Sequence, residues 1–456
     1  MTDRTMQEPA ATVPLGAQQA AEAVRQRWPW VEASVWTERM LSALETGIEG
    51  GKWFRLIDKV WSARNLLASW SRVSANGGAA GVDQVTVTMF ERHLEANLGH
   101  LAEQLRTGHY RAQAVWRVYI PKAGGGGGGK AKAKASMRPL GIPTVRDRVV
   151  QTALRHVLEP IFERDFAEHS YGFRPGRGCK DALRRVDALL KDGYTYVVDA
   201  DLKSYFDTIP HQKLMERVRE KVADGRVLTL IETFLTQGVM DGLSEWTPEA
   251  GSPQGAVVSP LLSNIYLDPL DHLMARQGWE MVRYADDFVI LCRSESQALA
   301  ALEQVKQWTA SAGLTLHPEK TRIVHATQGG FDFLGYHFKC GQKWPRDKSL
   351  MKFKETVRSK TKRRNGQSLA RIIAEVNLTT KGWFEYFKHS NRFMFVRLDS
   401  WIRMRLRSIL RRRQGKRGRG RGTDHQRWTN ASFTALGLFS LTDARMRAAR
   451  QSATTR

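Results

Sequence analysis

Cysteine is scarce in this chain: Cys179, Cys292 and Cys340 are the only three in 456 residues. They are too few and too far apart for a disulfide framework or a zinc site built on paired thiolates. Long apolar runs are missing too, with no window of about 18 apolar residues that would span a membrane. The N-terminus lacks the basic stretch and apolar core of a secretion signal, so a cytoplasmic protein without a membrane partner is expected. The third shortage is local. Residues 339–456 hold 7 Asp+Glu against 31 Lys+Arg, whereas residues 1–338 hold 39 against 40. Nearly all of the formal net charge of +25 therefore sits at one end. A neutral body joined to a basic end fits a catalytic unit attached to one that grips nucleic acid, because phosphate neutralisation dominates such affinity. A basic tail that serves only solubility is the plainer explanation, but Trp, Phe and Tyr interleave with these arginines and offer stacking platforms for bases.

A hydrophobic share of 42% supports real cores, and the length predicts two to four domains. Residues 1–34 read as a flexible segment. Helical spacing runs through 35–70, 90–105, 146–166, 214–235, 296–312, 352–373 and 390–413. Strands are expected at 115–122 and 194–202, with extended chain at 137–143. The glycine run 124–129 followed by Lys130 imitates a phosphate loop, but Ala131 stands where a Mg²⁺-binding Ser or Thr is needed. The run reads better as a flexible hairpin tip. The Arg/Gly-rich stretch 414–422 has the composition of a segment disordered when free.

Chemistry is concentrated where Tyr284-Ala285-Asp286-Asp287 lies between the apolar runs Met281-Val282 and Phe288-Val289-Ile290-Leu291. The pattern is strand, tight turn, strand, with two carboxylates at the tip. Asp is a common turn residue, so the hairpin alone proves little. Asp201 adds a third carboxylate at the end of an apolar strand. Three carboxylates from two segments suit a pair of Mg²⁺ ions about 3.5–4 Å apart that drive phosphoryl transfer.

Six blocks then occur in order: Arg138-Pro139-Leu140-Gly141-Ile142-Pro143; Tyr171-Gly172-Phe173-Arg174-Pro175-Gly176-Arg177; Asp201 through Asp207; Gly251-Ser252-Pro253-Gln254-Gly255 with Ser259-Pro260-Leu261-Leu262-Ser263-Asn264; Tyr284 to Asp287; and Phe333-Leu334-Gly335-Tyr336. In this order the chain resembles a group II intron reverse transcriptase/maturase. The resemblance implies an α+β right-hand polymerase: fingers and palm over 35–340 with an antiparallel palm sheet, an α-helical thumb/maturase domain over 341–413, and a short basic tail over 414–456. It implies an RNA-directed DNA polymerase that copies its intron RNA and helps that RNA splice, with Asp201, Asp286 and Asp287 as ligands of two Mg²⁺ ions.

By the same resemblance Phe206 is the steric gate against ribonucleotides, and Gln254 lies near the incoming dNTP and template. Lys122 and Arg138 meet the triphosphate, a role suited to their charge. Lys320 is placed to protonate pyrophosphate. Arg174, Arg177, Arg403, Arg407 and Arg411 are expected on nucleic acid. Only about forty residues follow the thumb, so an HNH endonuclease is not expected, and the DNA primer would come from elsewhere, such as a nascent strand at the nucleoid's replication forks. Two other readings are a domesticated or defence-associated reverse transcriptase and an RNA-binding splicing cofactor without polymerase activity. An RNA-dependent RNA polymerase is disfavoured by Phe206.

Overall fold

The computed structural model describes residues 23–48, 50–121, 137–364 and 366–454. Lys122 and the glycine run 124–129 lie outside these residues. The strands are β1 (Val115–Pro121), β2 (Met137–Ile142), β3 (Tyr196–Asp201), β4 (Val239–Asp241), β5 (Ser244–Trp246), β6 (Glu280–Tyr284), β7 (Asp287–Cys292), β8 (Arg322–His325), β9 (Phe331–Phe333), β10 (Tyr336–Lys339) and β11 (Gln342–Pro345). They form three sheets, of order β2-β1-β4-β5, β6-β7-β3-β8 and β11-β10-β9.

The central sheet is antiparallel throughout. Along β3 the side chains alternate: Val198 and Ala200 enter the large core of the molecule, while Val197 enters a second core shared with Phe331, Phe338 and Phe387. That second core carries the thumb, because Tyr386 donates its hydroxyl to the Leu334 carbonyl (2.7 Å) and Tyr336 donates to that of Tyr386 (2.6 Å). The aromatic stretch 383–387 is thus a packing joint rather than an exposed stacking surface.

Several expected helices are interrupted where a polar side chain captures free backbone amides. The helix expected over 214–235 is two helices, His211–Arg219 and Gly225–Leu235. Asp224 divides them. Its carboxylate accepts from Arg226 and Val227 (3.0 and 3.2 Å) and also from Leu56 and Ile57 (2.6 and 2.9 Å), so it caps two helices at once. In the same way Ser62 caps Ala63–Asn76 within the 35–70 pattern, and Ser368 caps Leu369–Phe387 within 352–373.

The thumb consists of helices Asp347–Lys360, Leu369–Phe387 and Arg392–Arg413, with Leu441–Thr454 laid against them. A separate tail over 414–456 is not what the structure shows, since Phe433, Leu441 and Ala444 are buried in one cluster with Phe395, Ile402 and Leu406. Buried Asp399 fixes the junction. It accepts from the amides of Leu441 and Thr442 (both 3.0 Å) and from the Thr442 hydroxyl (2.7 Å). Among the described residues no helix is long and apolar enough to cross a membrane.

Replacing Asp399 with Ala strands these buried donors at a cost of about 1–3 kcal/mol. A thermal melt of Asp399→Ala should show a midpoint lower by a few degrees, and limited proteolysis should cut between residues 413 and 441 well before it cuts wild type. Equal melting and equal protease resistance would remove Asp399 from this role.

Candidate active site

Strands β6 and β7 are joined by Ala285 and Asp286 alone, with Tyr284 paired to Asp287. Ala285 has φ of +60°, the first central position of a type II′ turn, which glycine normally takes. An L-residue there costs roughly 1–2 kcal/mol, so something must hold it. Arg283, with 0% of its surface exposed, does so. Its Nη1 donates to the Ala285 carbonyl (2.9 Å) and to Asn264 Oδ1 (3.0 Å), while Nε and Nη2 form a fork on buried Asp271 (Nε to Oδ1 2.8 Å).

From below, Gly172 closes on the same turn. A Cβ there would lie 2.2 Å from the Ala285 nitrogen, and the Gly172 carbonyl accepts from Asn264 Nδ2 (2.9 Å). Only a residue without a side chain fits.

The acids converge through strand register. Asp201 is directly opposite Asp287 across β3 and β7, and Asp199 lies two residues back on the same face. Burial raises the Asp286 carboxyl above the ordinary range; Asp201 pushes the same way and Arg138 opposes it. Asp287 rises to about 7, first from burial and then from Asp199, Asp286 and Asp201. Asp199 is likewise raised by burial, with Arg322 (3.3 Å) pulling back. Asp201 holds an ion pair with Lys320, and its carbonyl accepts from the His317 amide (2.7 Å).

Such crowding of like charge is the condition a divalent cation relieves. Among the described residues no closed group of three or more His, Cys, Asp or Glu forms a ready cage. Mg²⁺ suits that arrangement, being held as a rule by one or two carboxylates together with substrate phosphates. The chemistry of the carboxylates Asp201, Asp286 and Asp287 is compatible with Mg²⁺ bound in that way.

The other expected residues divide. Arg138 is exposed on β2, near enough for its charge to act on Asp286. Half-buried Phe206 meets Phe173 and Tyr205 edge to face (centroids 6.4 and 5.5 Å). With Gln254, Gly141 and Pro139 it lines one pocket between the β1–β2 hairpin and the 250–254 loop. That loop is pinned by the Ser252 amide on the Phe206 carbonyl (2.7 Å) and the Gly141 amide on that of Gln254 (2.7 Å). Lys320 points at Asp201. Lys122 is outside the described residues. Arg177 donates to the Glu168 carbonyl and lies over Tyr171, and Arg403 is half-buried on the thumb.

Three expected nucleic-acid contacts need correction. Arg174 is buried, bonded to Glu163 (2.8 Å) and to the Ser170 carbonyl (2.8 Å). Arg407 is buried as well, donating to the Trp428 carbonyl (2.9 Å) and Asn430 (2.8 Å). Arg411 is held by Asp424 (2.6 Å) and the Arg417 carbonyl (2.9 Å). All three are structural cations. Arg407 and Arg411 also order part of the 414–422 stretch, whose Gly420 lies so close to Arg407 that a Cβ would stand 2.6 Å from the Arg407 Cβ. Sequence reading missed Asp199, Arg283, Asp271 and Asn264. Of these only Asp199 left a signal, the period of two that puts it on the face of Asp201.

Comparison with known proteins gives the family. Residues 120–338 match the family model of reverse transcriptase (RNA-dependent DNA polymerase), and residues 350–428 match that of the group II intron maturase-specific domain. Protein YkfC of Escherichia coli K12 is 36% identical over 313 residues, covering 59% of this chain and 79% of YkfC. The group II intron-encoded protein LtrA of Lactococcus lactis subsp. cremoris is 38% identical over 177 residues, covering 39% of this chain and 28% of LtrA. An uncharacterised 91 kDa protein in the cob intron of Schizosaccharomyces pombe is 31% identical over 294 residues, covering 52% and 35%. The match thus spans most of YkfC but about a third or less of the two intron proteins.

Two outcomes follow from the site's geometry. Gly172→Ala forces the Ala285 turn to move and should abolish nucleotide incorporation in primer extension while leaving RNA binding intact; normal incorporation would show that the turn tolerates displacement. Because its folded-state pKa is raised, ionisation of Asp287 opposes folding, and stability falls as pH rises from about 4 through 7. Metal-free Asp287→Asn should therefore melt a few degrees above wild type at pH 8, with a narrower gap at pH 5. Identical melting curves at both pH values would contradict the crowding.

Proposed function

Because the chain belongs to the group II intron reverse transcriptases that carry a maturase domain, we propose that it copies its intron RNA into DNA and binds the same RNA to assist splicing. The observation that carries this reading is the crowding of Asp201, Asp286 and Asp287 at a turn fixed by a buried arginine. Two Mg²⁺ ions held by these three residues would lower the pKa of an attacking 3′-hydroxyl and stabilise the leaving pyrophosphate. Asp286 and Asp287 need a fixed position for that work, and Arg283 supplies it through the Ala285 carbonyl.

Phe206 stands at the pocket wall where a ribose 2′-hydroxyl would collide, which selects dNTPs. Gln254, its backbone tied to β2, faces the nucleotide or its template partner. Arg138 takes the triphosphate charge once Asp286 no longer needs it. Lys320 can give a proton to pyrophosphate only after leaving Asp201, so its present ion pair is a resting position. The basic thumb recognises folded RNA by shape and phosphate contacts.

A splicing cofactor without polymerisation is the second reading. Against it stands Asp287, whose ionisation destabilises the chain and would serve no purpose without a cation. Primer extension on an RNA template with Mg²⁺ tests both. Wild type should incorporate dNTPs, Asp286→Ala should fall to background with RNA binding retained, and Phe206→Ala should admit rNTPs. A folded, RNA-binding wild type that incorporates nothing would transfer the conclusion to the cofactor reading.

A further inference from the structure

With Arg407 and Arg411 turned inward, a different part of the thumb is left with uncompensated charge. Arg405, on helix Arg392–Arg413, reaches across to the end of helix Asp347–Lys360. Its Nε donates to Thr361 Oγ1 (2.6 Å), and its Nη2 donates to the Thr361 carbonyl (3.0 Å). Exposed Arg358 comes from that neighbouring helix, and exposed Arg363 from the turn after it. Both are close enough to depress the Arg405 pKa, after burial itself. Arg358 and Arg405 both lie against the Trp401 ring, 5.8 and 5.6 Å from its centroid. Among the described residues none of the three guanidiniums pairs with a carboxylate.

Helix C-termini attract cations, which accounts for Arg358. It does not account for Arg405, which arrives from another helix, is partly buried, and is locked in place by Thr361. Holding two guanidiniums against one ring with a third close by brings like charges together, a repulsion that an anion at the site relieves. Arginine forks match the paired oxygens of phosphate and carboxylate groups, and several of them side by side suit the repeated phosphates of a phosphodiester chain. Trp401 adds a half-buried ring against which Arg358 and Arg405 lie, giving each a cation–π contact.

We propose that Arg358 and Arg405, both set against Trp401, together with exposed Arg363 on the turn that Arg405 grips through Thr361, form the thumb's phosphodiester-gripping site. The site rests on the reading that the thumb binds nucleic acid, and it replaces the arginines that the charge pattern alone pointed to. Its ligand is the sugar–phosphate backbone, either of folded intron RNA or of the RNA–DNA hybrid made during copying.

The test is salt-dependent binding of two probes, a folded group II intron RNA and an RNA–DNA primer–template hybrid, between 50 and 500 mM KCl as titration limits of about one decade. Arg358→Gln with Arg363→Gln should flatten the log–log slope by about two, since each phosphate contact contributes about 0.7–0.9. Arg358→Lys with Arg363→Lys should restore the slope, because charge is kept. Arg219→Gln, a surface arginine paired with Glu232 (2.7 Å), serves as the control and should leave the slope alone. Flattening for the intron RNA only assigns the site to that RNA; flattening for the hybrid only assigns it to the copied duplex. An unchanged slope for both probes, in a double variant that melts like wild type, overturns the site while leaving the function of the thumb standing. A wild type that binds neither probe overturns the functional reading and the site with it.

Discussion

The ion pair of Arg283 with Asp271 is the interaction on which the geometry of the acidic turn depends. Taking two charges out of water costs several kcal/mol per ion even after relaxation, and such a pair need not add net stability. What it contributes here is position. The guanidinium uses its donors on Asp271, Asn264 and the Ala285 carbonyl, and Asn264 passes a further bond to Gly172. Asn264 and Asp271 are seven residues apart on helix Ser259–Arg276, so they share one face and present a single rigid edge to β6. A helix, a strand, a glycine loop and a left-handed alanine are thereby fixed to one another. The carboxylates of Asp286 and Asp287 inherit that rigidity, as a site working at sub-ångström tolerance requires.

Around the acids, cations are contributed from separate elements: Lys320 to Asp201 and Arg322 to Asp199 from the segment entering β8, Arg138 toward Asp286 from β2, and Arg346 toward Asp287 from the start of the thumb. The acidic cluster is therefore balanced by cations from β2, from the segment entering β8 and from the start of the first thumb helix. This distribution reconciles folding with function. An acidic cluster strong enough for Mg²⁺ would repel itself in the bare protein, and side chains on mobile long stems neutralise it without closing it.

Much of this was legible in the sequence, for physical reasons. The palm strands announce themselves as short runs of apolar and β-branched residues bounded by turn signals, and the acids stand where those runs stop. Arg283 was not legible, because a single arginine in a strand reads as a solvent-facing residue and its partner lies twelve positions earlier on a helix. Asp224 was equally hidden: its capping of Gly225 onward could be suspected from local sequence, but its hold on Leu56 and Ile57 is a contact between distant segments. In the thumb, Ile402, Leu406 and Ile409 marked one apolar face correctly. Nothing local shows that residues 414–454 fold back to pack Phe433 and Leu441 against that face and to bond Arg407 and Arg411, which were expected on nucleic acid.

That return of the chain changes what the basic charge means. Residues 339–456 carry a net +24, but charge that is bonded inside the thumb cannot release counterions from nucleic acid. Arg407 and Arg411 tie down the 414–430 segment, and Arg405 is committed to Thr361 on one edge of its fork. Composition thus sets an upper bound on the electrostatic grip, and burial sets the working value. The arginines that remain outward are ordered by the ones that turned inward, since Trp401 and Arg405 keep their place only while Phe433 and Leu441 cover the far side of their helix. Strength of RNA binding and stability of the thumb are consequently one problem in this chain: loosening the C-terminal helices would disperse the surface charge without removing a single arginine.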